Sequence, residues 1–159
     1  MLFSRKGKAL VAVANGKSMP LSDVPDEAFS TGILGIGFAI DPADGTIYSP
    51  IDATVESIAE SKHAYTLRSD DGLEVLVHIG IDTVELKGEG FLPMVSEGTH
   101  VKVGEVLARA DLNLLHGKNF SCIIPVVITN PEAAEIERPR IGNTIGGETA
   151  VLPYRVKQT

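Results

Sequence analysis

The chain has 159 residues, of which 43% are hydrophobic and 22% charged, and its formal net charge is −7. This length fits one domain with a sizeable core, and the acidic charge argues against a nucleic-acid or anionic-membrane partner, because no basic stripe is available to neutralise phosphates. An acidic surface favours partners with exposed arginine or lysine. The single cysteine, Cys122, excludes an internal disulfide, and its apolar neighbours predict a buried small hydrophobe.

The N-terminal residues carry a small basic cluster, Arg5, Lys6 and Lys8, without the long apolar stretch of a signal peptide. No window approaches the ~20 apolar residues that a membrane span requires. No proline-, serine- or glycine-rich linker divides the chain. We therefore expect a cytoplasmic protein with a short N-terminal segment at residues 1–10 and a single domain at residues 11–159.

Turn signals recur along the chain, and short runs rich in valine, isoleucine and threonine lie between them. Short strands separated by turns at regular intervals are typical of an all-β protein, and we predict an antiparallel β-sandwich or flattened barrel. Helical periodicity is weak, so we predict only a few one-turn helices, at Val24–Phe29, Asp111–His116 and Glu132–Ile136. The last strand is predicted at Ala150–Val156.

A predicted β-hairpin carries one histidine on each of its strands. The strand-like runs His63–Arg68 and Leu73–Ile79 flank the turn signal Ser69–Gly72. Side chains alternate along a strand, so a loop of two or four residues places His63 and His78 on one face, with Cβ atoms about 5 Å or about 7–8 Å apart. A loop with an odd number of residues places them on opposite faces.

Two imidazoles on one face can form a phosphoryl-transfer site. One ring can act as the nucleophile if it stays neutral, and a close second ring favours this because two like charges resist coexisting. The second ring can donate a hydrogen bond to a phosphoryl oxygen, and the Ser61 hydroxyl can fix its tautomer. Phosphoryl transfer needs little from a protein beyond positioning and charge stabilisation.

Other interpretations of the histidines stay open at this point. Both rings could simply pack as structural residues. A zinc site at His63 and His78 needs a third protein ligand, and no CxxC, HxH or HExxH spacing supplies one. His100 and His116 lie in turn-like contexts, where surface placement is expected.

The sequence around His78 resembles a known family. The run from Gly72 to Phe91 closely resembles the histidine signature of the glucose-type enzyme IIA of the bacterial phosphoenolpyruvate:sugar phosphotransferase system. The similarity extends over nearly the whole chain. Further family-like segments are Ser22–Phe29, Gly37–Ile40, Ser49–Val55, Glu97–Gly104, Pro125–Asn130 and Thr144–Thr149.

The resemblance implies a phosphocarrier with a transient phosphohistidine and no resident cofactor. The histidine at the position of His78 accepts a phosphoryl group from the histidine phosphocarrier protein and passes it to a cysteine on the IIB domain of a sugar permease. His63 matches the second site histidine, which stabilises the phosphoryl group, and Ser61 matches a hydroxyl residue that orients it. The two histidines could also hold a zinc ion jointly with a carboxylate from a partner.

The resemblance also implies a docking face for the two partner proteins. Its apolar residues are Phe29, Ile33, Leu34, Leu76 and Val84, and its acidic rim is formed by Asp26 and Asp82. Leu76 shares the strand face of His78, as the alternation requires. Core packing is the competing interpretation for Leu76 and Val84, whereas Phe29, in a predicted loop, is expected at the surface.

Two other functions compete with the phosphocarrier interpretation. A zinc-dependent metallopeptidase of the lysostaphin type is thought to share a similar β architecture, but it needs the missing third ligand and HxH pair. A lipoyl or biotinyl carrier domain resembles the strand-turn pattern of Val101–Leu107. Such a carrier needs a lysine in a Met-Lys-Met or Asp-Lys-Ala motif, and neither motif is present.

Overall fold

A computed structural model describes residues 8–157, and in this range the chain is built mainly from short antiparallel strands. The strands are β1 (Lys8–Val11), β2 (Gly16–Pro20), β3 (Ile36–Pro42), β4 (Thr46–Tyr48), β5 (Ala53–Ile58), β6 (Ala64–Ser69), β7 (Glu74–His78), β8 (Phe91–Pro93), β9 (His100–Val101), β10 (Val106–Ala110), β11 (Ile124–Ile128), β12 (Ala134–Ile136), β13 (Gly142–Thr144) and β14 (Ala150–Val156). Within residues 8–157, the helical structure consists of α1 (Glu27–Ser30), α2 (Leu112–Gly117) and 3₁₀ turns at Leu21–Asp23, Thr83–Leu86 and Pro131–Ala133. The prediction of an all-β antiparallel protein with a few one-turn helices is confirmed.

The strands of the described residues form three sheets around a main core. The largest has eight strands in the order β13-β2-β3-β11-β7-β6-β5-β9, and two three-stranded sheets have the orders β1-β14-β12 and β4-β10-β8. The alternation of buried and exposed positions along β6 and β7 aims Tyr65, Leu67, Val75 and Val77 into the main core. One face of the large sheet is therefore closed by the two smaller sheets, as in a β-sandwich.

The opposite face of the large sheet is covered locally by a second apolar cluster. Ala39 of β3 and Val127 of β11 point to this side and pack with Leu21, Val24 and Phe29. Because residues 21–30 cover it, the central strand β11 is buried at all five of its positions. The half-buried Leu76 of β7 packs against the same cluster, so the segment holding α1 lies beside the end of β7 where His78 sits.

Two of the three predicted helices form, with shifted bounds, and the third does not. Helix α1 begins at Glu27 because the side chain of Asp26 caps it, accepting a hydrogen bond from the main-chain nitrogen of Ala28 at 2.8 Å. Helix α2 begins one residue after its prediction, with Asp111 as the cap. The predicted helix at Glu132–Ile136 is wrong. A 3₁₀ turn that starts at Pro131 leads instead into β12, which pairs with β14.

The predicted histidine hairpin forms between β6 and β7, but its loop length was not one of the even lengths that the same-face argument requires. Ala64 lies opposite His78, and Ser69 donates its main-chain N–H to the carbonyl of Leu73, which leaves a loop of residues 70–72. Gly72 adopts a left-handed conformation with φ of 96°, which suits the third position of such a loop. As expected for a loop with an odd number of residues, strand alternation therefore places His63 and His78 on opposite faces of the hairpin.

Strand β1 pairs with β14 and spans the boundary that the sequence placed after residue 10. Most of that N-terminal segment, including Arg5 and Lys6, lies outside the described residues. Within residues 8–157, no helix has the length and hydropathy needed to cross a membrane. Cys122 is buried, as predicted, and the exposed positions of His100 and His116 also agree with the sequence.

Candidate functional site: two imidazoles beside an apolar face

The rings of His63 and His78 meet although the strand register does not bring them to one face. Their centroids are 4.8 Å apart and the ring planes are nearly perpendicular, at 86°. His78 is the last residue of β7 and shares the outer face of the sheet with Leu76. His63 precedes β6 and is not part of the strand, so the alternation of β6 does not fix the direction of its side chain.

One hydrogen bond fixes the protonation pattern of the His78 ring. Its Nδ1 lies 2.7 Å from the main-chain carbonyl oxygen of Gly80, and because a carbonyl only accepts, Nδ1 carries the proton. In the neutral ring, Nε2 then holds the free lone pair. Gly80 follows the strand by two residues and has a φ of 80°, a conformation that turns the chain back toward the ring.

The Nε2 atoms of both histidines are open to solvent. In residues 8–157, the buried side-chain nitrogen or oxygen atoms that lack a hydrogen-bond partner are His63 Nδ1 and the Tyr65 hydroxyl. Neither Nε2 atom accepts or donates a hydrogen bond within this range, so each of them must contact solvent. The pair thus presents two imidazole nitrogens to an incoming group while the rest of the His63 ring is buried, with 6% of the residue exposed.

Both imidazoles are neutral at pH 7. Burial lowers the pKa of His63 to about 4, and the nearby His78 ring adds to the shift, while the main chain of Ser61 opposes it weakly. Burial also lowers the pKa of His78. The Gly80 carbonyl and the carboxylates of Asp26 and Asp82 act in the opposite direction on His78, because each favours a protonated ring. A neutral His78 with a free Nε2 lone pair is a competent nucleophile.

Most of the apolar residues that were predicted for the docking face are exposed. Ile33 is 79% exposed, Leu34 38% and Val84 52%, whereas Leu76 is half-buried against the second cluster. Phe29 is only 4% exposed, so the expectation of a surface position for it is wrong. Phe29 belongs to α1 and is on the side of that helix that packs on the sheet. Its ring centroid lies 5.1 Å from that of His78.

Two carboxylates flank this apolar surface. Asp82 is exposed and takes a left-handed conformation, with φ of 59°, at the start of the 3₁₀ turn Thr83–Leu86. Asp26 is partly exposed and uses one oxygen to cap α1. Both carboxylates are close enough to His78 to oppose the lowering of its pKa by burial. Negative charge therefore lies at the edge of the site. The role of Asp26 and Asp82 as an acidic rim for a partner stays a prediction.

The Ser61 hydroxyl was predicted to fix the tautomer of His63, but it makes no hydrogen bond to the His63 ring in this structure. Nδ1 of His63 has no partner with normal hydrogen-bond geometry, and the influence of Ser61 on the ring comes from its main chain. The reason is local, since Ser61 lies in a tight turn in which Lys62 donates its main-chain N–H to the carbonyl of Ala59. Across the described part of the chain, no group of three or more His, Cys, Asp or Glu side chains is arranged to hold a metal ion.

Two features of the site were not predicted from the sequence. These are the hydrogen bond from His78 to the Gly80 carbonyl and the packing of Phe29 against His78. Only the first had a sequence signal, namely a glycine two residues after the strand histidine. The second depends on how the segment before β3 folds over the sheet, which no local pattern encodes.

The fold and the site together define a β-sandwich protein with two neutral imidazoles in contact, one of which has a free Nε2 lone pair. Comparisons with known proteins give this class a family. A family model for EIIA 1 of the phosphoenolpyruvate-dependent sugar phosphotransferase system matches residues 8–134. The chain belongs to this family, and it is accordingly a phosphocarrier component of the sugar phosphotransferase system.

Individual relatives agree with the family assignment. The chain is 42% identical over 149 residues to the PTS system glucose-specific EIIA component of Staphylococcus aureus, covering 93% of this chain and 90% of that protein. It is 39% identical over 151 residues to the corresponding component of Bacillus anthracis, covering 94% and 92%. The solved glucose permease IIA from Mycoplasma capricolum superposes with a TM-score of 0.88 at 32% identity, covering 96% of this chain and 99% of that one. These matches give no support to a metallopeptidase.

Proposed function

We propose that Nε2 of His78 accepts a phosphoryl group from the histidine phosphocarrier protein and passes it to the IIB domain of a sugar permease. The observation that carries this proposal is the hydrogen bond from His78 Nδ1 to the Gly80 carbonyl, because it leaves the Nε2 lone pair free and open to solvent. In the first step, the Nε2–phosphorus bond forms as the donor's nitrogen–phosphorus bond breaks. In the second step, an acceptor cysteine thiolate displaces Nε2 from phosphorus.

His63 is proposed to stabilise the transferred group. Its ring stands edge-on to His78, with an Nε2 that reaches solvent, so a proton on this nitrogen can be donated to a phosphoryl oxygen. In the unphosphorylated protein the ring is neutral because it is buried. The negative charge of a phosphoryl group on His78 favours a proton on His63, which couples the charge of the second ring to the state of the first.

The exposed apolar residues support a protein as donor and acceptor. Ile33 and Leu34 follow α1, whose Phe29 packs on His78, and Val84 lies two residues after Asp82. All three expose apolar side chains, which a small phosphate donor would not need. The carboxylates of Asp26 and Asp82 favour a partner with a basic rim. Because the relatives carry glucose-specific names, a glucose permease is the first acceptor to test. The cytoplasm is proposed as the compartment, and the transient phosphohistidine is the only bound group that the mechanism requires.

Transfer from purified histidine phosphocarrier protein tests the assignment. With phosphoenolpyruvate as the source, His78→Gln should lose phosphate uptake, because it removes the Nε2 lone pair that the hydrogen bond from Nδ1 to the Gly80 carbonyl leaves free. His63→Gln should take up phosphate but pass it to the IIB domain about 10²-fold more slowly, as expected for loss of one positioned hydrogen-bond donor to the transition state. His100→Gln, which removes an exposed imidazole outside the site, is the matched control. A His78 variant that labels at the wild-type rate would sink the proposal.

A further inference from the structure

The position of the His63 ring needs an explanation that the β6–β7 hairpin does not supply. Ala64 pairs with His78, so the next position on β6 would set His63 opposite Ile79. The main chain follows this register, because the Ile79 N–H donates to the His63 carbonyl at 2.7 Å. The Ile79 side chain belongs to the main core. A regular continuation of β6 would therefore turn His63 away from His78.

The turn that precedes His63 departs from strand geometry at one residue. Lys62 donates its N–H to the carbonyl of Ala59 at 2.7 Å, and Ala59 donates to the carbonyl of Ala64 at 2.9 Å. Residues 60–63 are thus enclosed as a loop between β5 and β6. Lys62 takes φ of 64°, a left-handed conformation that lysine seldom adopts. His63 directly follows this left-handed position and precedes the first residue of β6.

The charge of Lys62 does not explain its presence there. Its ammonium group is not among the causes that shift the pKa of either histidine. The side chain instead lies toward Gly88, since a Cβ added at that glycine would meet Lys62 Cδ at 3.8 Å. The feature of Lys62 that bears on the imidazoles is therefore its main-chain conformation.

We propose that Lys62 is a positioning residue of the transfer site, whose left-handed main chain turns the His63 ring out of the core-facing register and onto His78. This inference rests on the proposed function for its effect on transfer, but not for its effect on the geometry of the two rings. The left-handed conformation is accessible to glycine and asparagine and is disfavoured most for β-branched residues. Substitutions at one position can therefore separate conformation from charge.

The experiment compares Lys62→Asn, Lys62→Gly and Lys62→Val, all of which remove the ammonium group. The structural readout is the nuclear Overhauser effect between the ring protons of His63 and His78, and the functional readout is the rate of phosphoryl transfer from the phosphorylated protein to the IIB domain. The asparagine and glycine variants should keep the ring contact and transfer within about twofold of the original rate. The valine variant should lose the contact and slow transfer on the order of tenfold to a hundredfold.

Two controls make the result decisive. Asn119→Val places the same strain at another left-handed position, with φ of 67°, and should leave the ring contact unchanged. If Lys62→Val does not fold, Lys62→Ala against Lys62→Gly makes the same comparison, with the alanine variant showing the weaker contact. A valine or alanine variant with wild-type contact overturns the proposal, and so does equal loss in the asparagine and valine variants. Failure of the original protein to label on His78 would instead overturn the proposed function.

Discussion

The chemistry of the site depends on which nitrogen of His78 carries the proton. The Gly80 carbonyl holds a proton on Nδ1, and burial keeps the ring neutral, so the Nε2 lone pair is available at physiological pH. The carboxylates of Asp26 and Asp82 oppose the effect of burial on the pKa. A charged ring would have no lone pair on Nε2. The balance between burial and these two carboxylates therefore sets how much of His78 is neutral and able to react.

The lowered pKa of His63 predicts a specific dependence of stability on pH. The unfolded ring titrates near ~6.5 and the folded ring near 4, so between these values the unfolded state binds the proton first. The free energy of unfolding should therefore fall as the pH drops from about 7 to about 4, with a contribution from His63 of at most about 3 kcal/mol. Above pH 7 this contribution is absent, because the ring is neutral in both states.

Urea denaturation across this pH range measures the effect. His63→Gln should show a shallower loss of stability than the original protein, because the glutamine does not titrate. Equal slopes for the original protein and His63→Gln would contradict a buried neutral ring.

At the scale of the elements, the turn after β7 connects the histidine to its hydrogen-bond acceptor. A Cβ added at Gly80 would lie 2.5 Å from Thr83 Cγ2 and 3.0 Å from the Ser121 carbonyl oxygen, and the residue has φ of 80°. We expect Gly80→Ala to displace the carbonyl that holds Nδ1, to lower the free energy of unfolding by more than about 2 kcal/mol, and to slow phosphate uptake.

Gly72→Ala provides the matched control for this turn. Gly72 has φ of 96°, but nothing lies within 4 Å of an added Cβ, so this variant suffers only the conformational penalty of about 1–2 kcal/mol. It should label with phosphate at the original rate. The account of the turn fails if Gly80→Ala labels as fast as Gly72→Ala when both are measured well below their unfolding midpoints.

The histidine hairpin also shows how far the sequence predicts a site. The two strands, the turn signal and the two histidines were all visible in residues 63–79, because alternation and turn chemistry are local. The contact between the rings was predicted from a loop of even length, and the loop has three residues. The rings meet for another reason, the irregular turn at Lys62, which depends on the pairing of β5 with β6. A positive φ at a lysine has no signal in a single sequence.

At the scale of the whole molecule, the large sheet has two buried faces with different uses. Its inner face packs on the smaller sheets, and part of its outer face is covered by residues 21–30, beside which the histidines and exposed apolar residues lie. The valine-, isoleucine- and threonine-rich runs and the regular spacing of the turn signals were enough to predict the fold class. The division into three sheets, and the burial of Phe29 beneath its own helix, arise from long-range packing and could not be predicted.

The exposed apolar face predicts that partner binding can be weakened without loss of stability. Val84 is 52% exposed and lies two residues after Asp82, whose carboxylate acts on the pKa of His78. Val84→Asn should change the free energy of unfolding by less than about 0.5 kcal/mol. It should raise the KM for the histidine phosphocarrier protein about tenfold, as expected where an apolar contact is lost at the centre of an interface. Ile145 offers a control because it is similarly exposed, at 57%, but lies elsewhere. It follows β13, whose Thr144 pairs with Gly16, and Gly16 is at the end of β2 that is far from residues 21–30.

Steady-state labelling with increasing carrier concentration measures this KM. Ile145→Asn is the control and should leave the KM unchanged, since its position is remote from the histidines. An equal rise in KM for both variants would show that the effect is not confined to the face around His78, and no rise for Val84→Asn would remove that residue from the interface.

The most direct test of the account is the location of the phosphorus–nitrogen bond. After labelling by phosphoenolpyruvate and the histidine phosphocarrier protein, ¹⁵N and ³¹P nuclear magnetic resonance of the intact protein can identify the residue and the ring nitrogen that carry the phosphoryl group. The hydrogen bond between His78 Nδ1 and the Gly80 carbonyl predicts a single signal from Nε2 of His78. A phosphoryl group on Nδ1 of that ring, or on His63, would contradict the central claim.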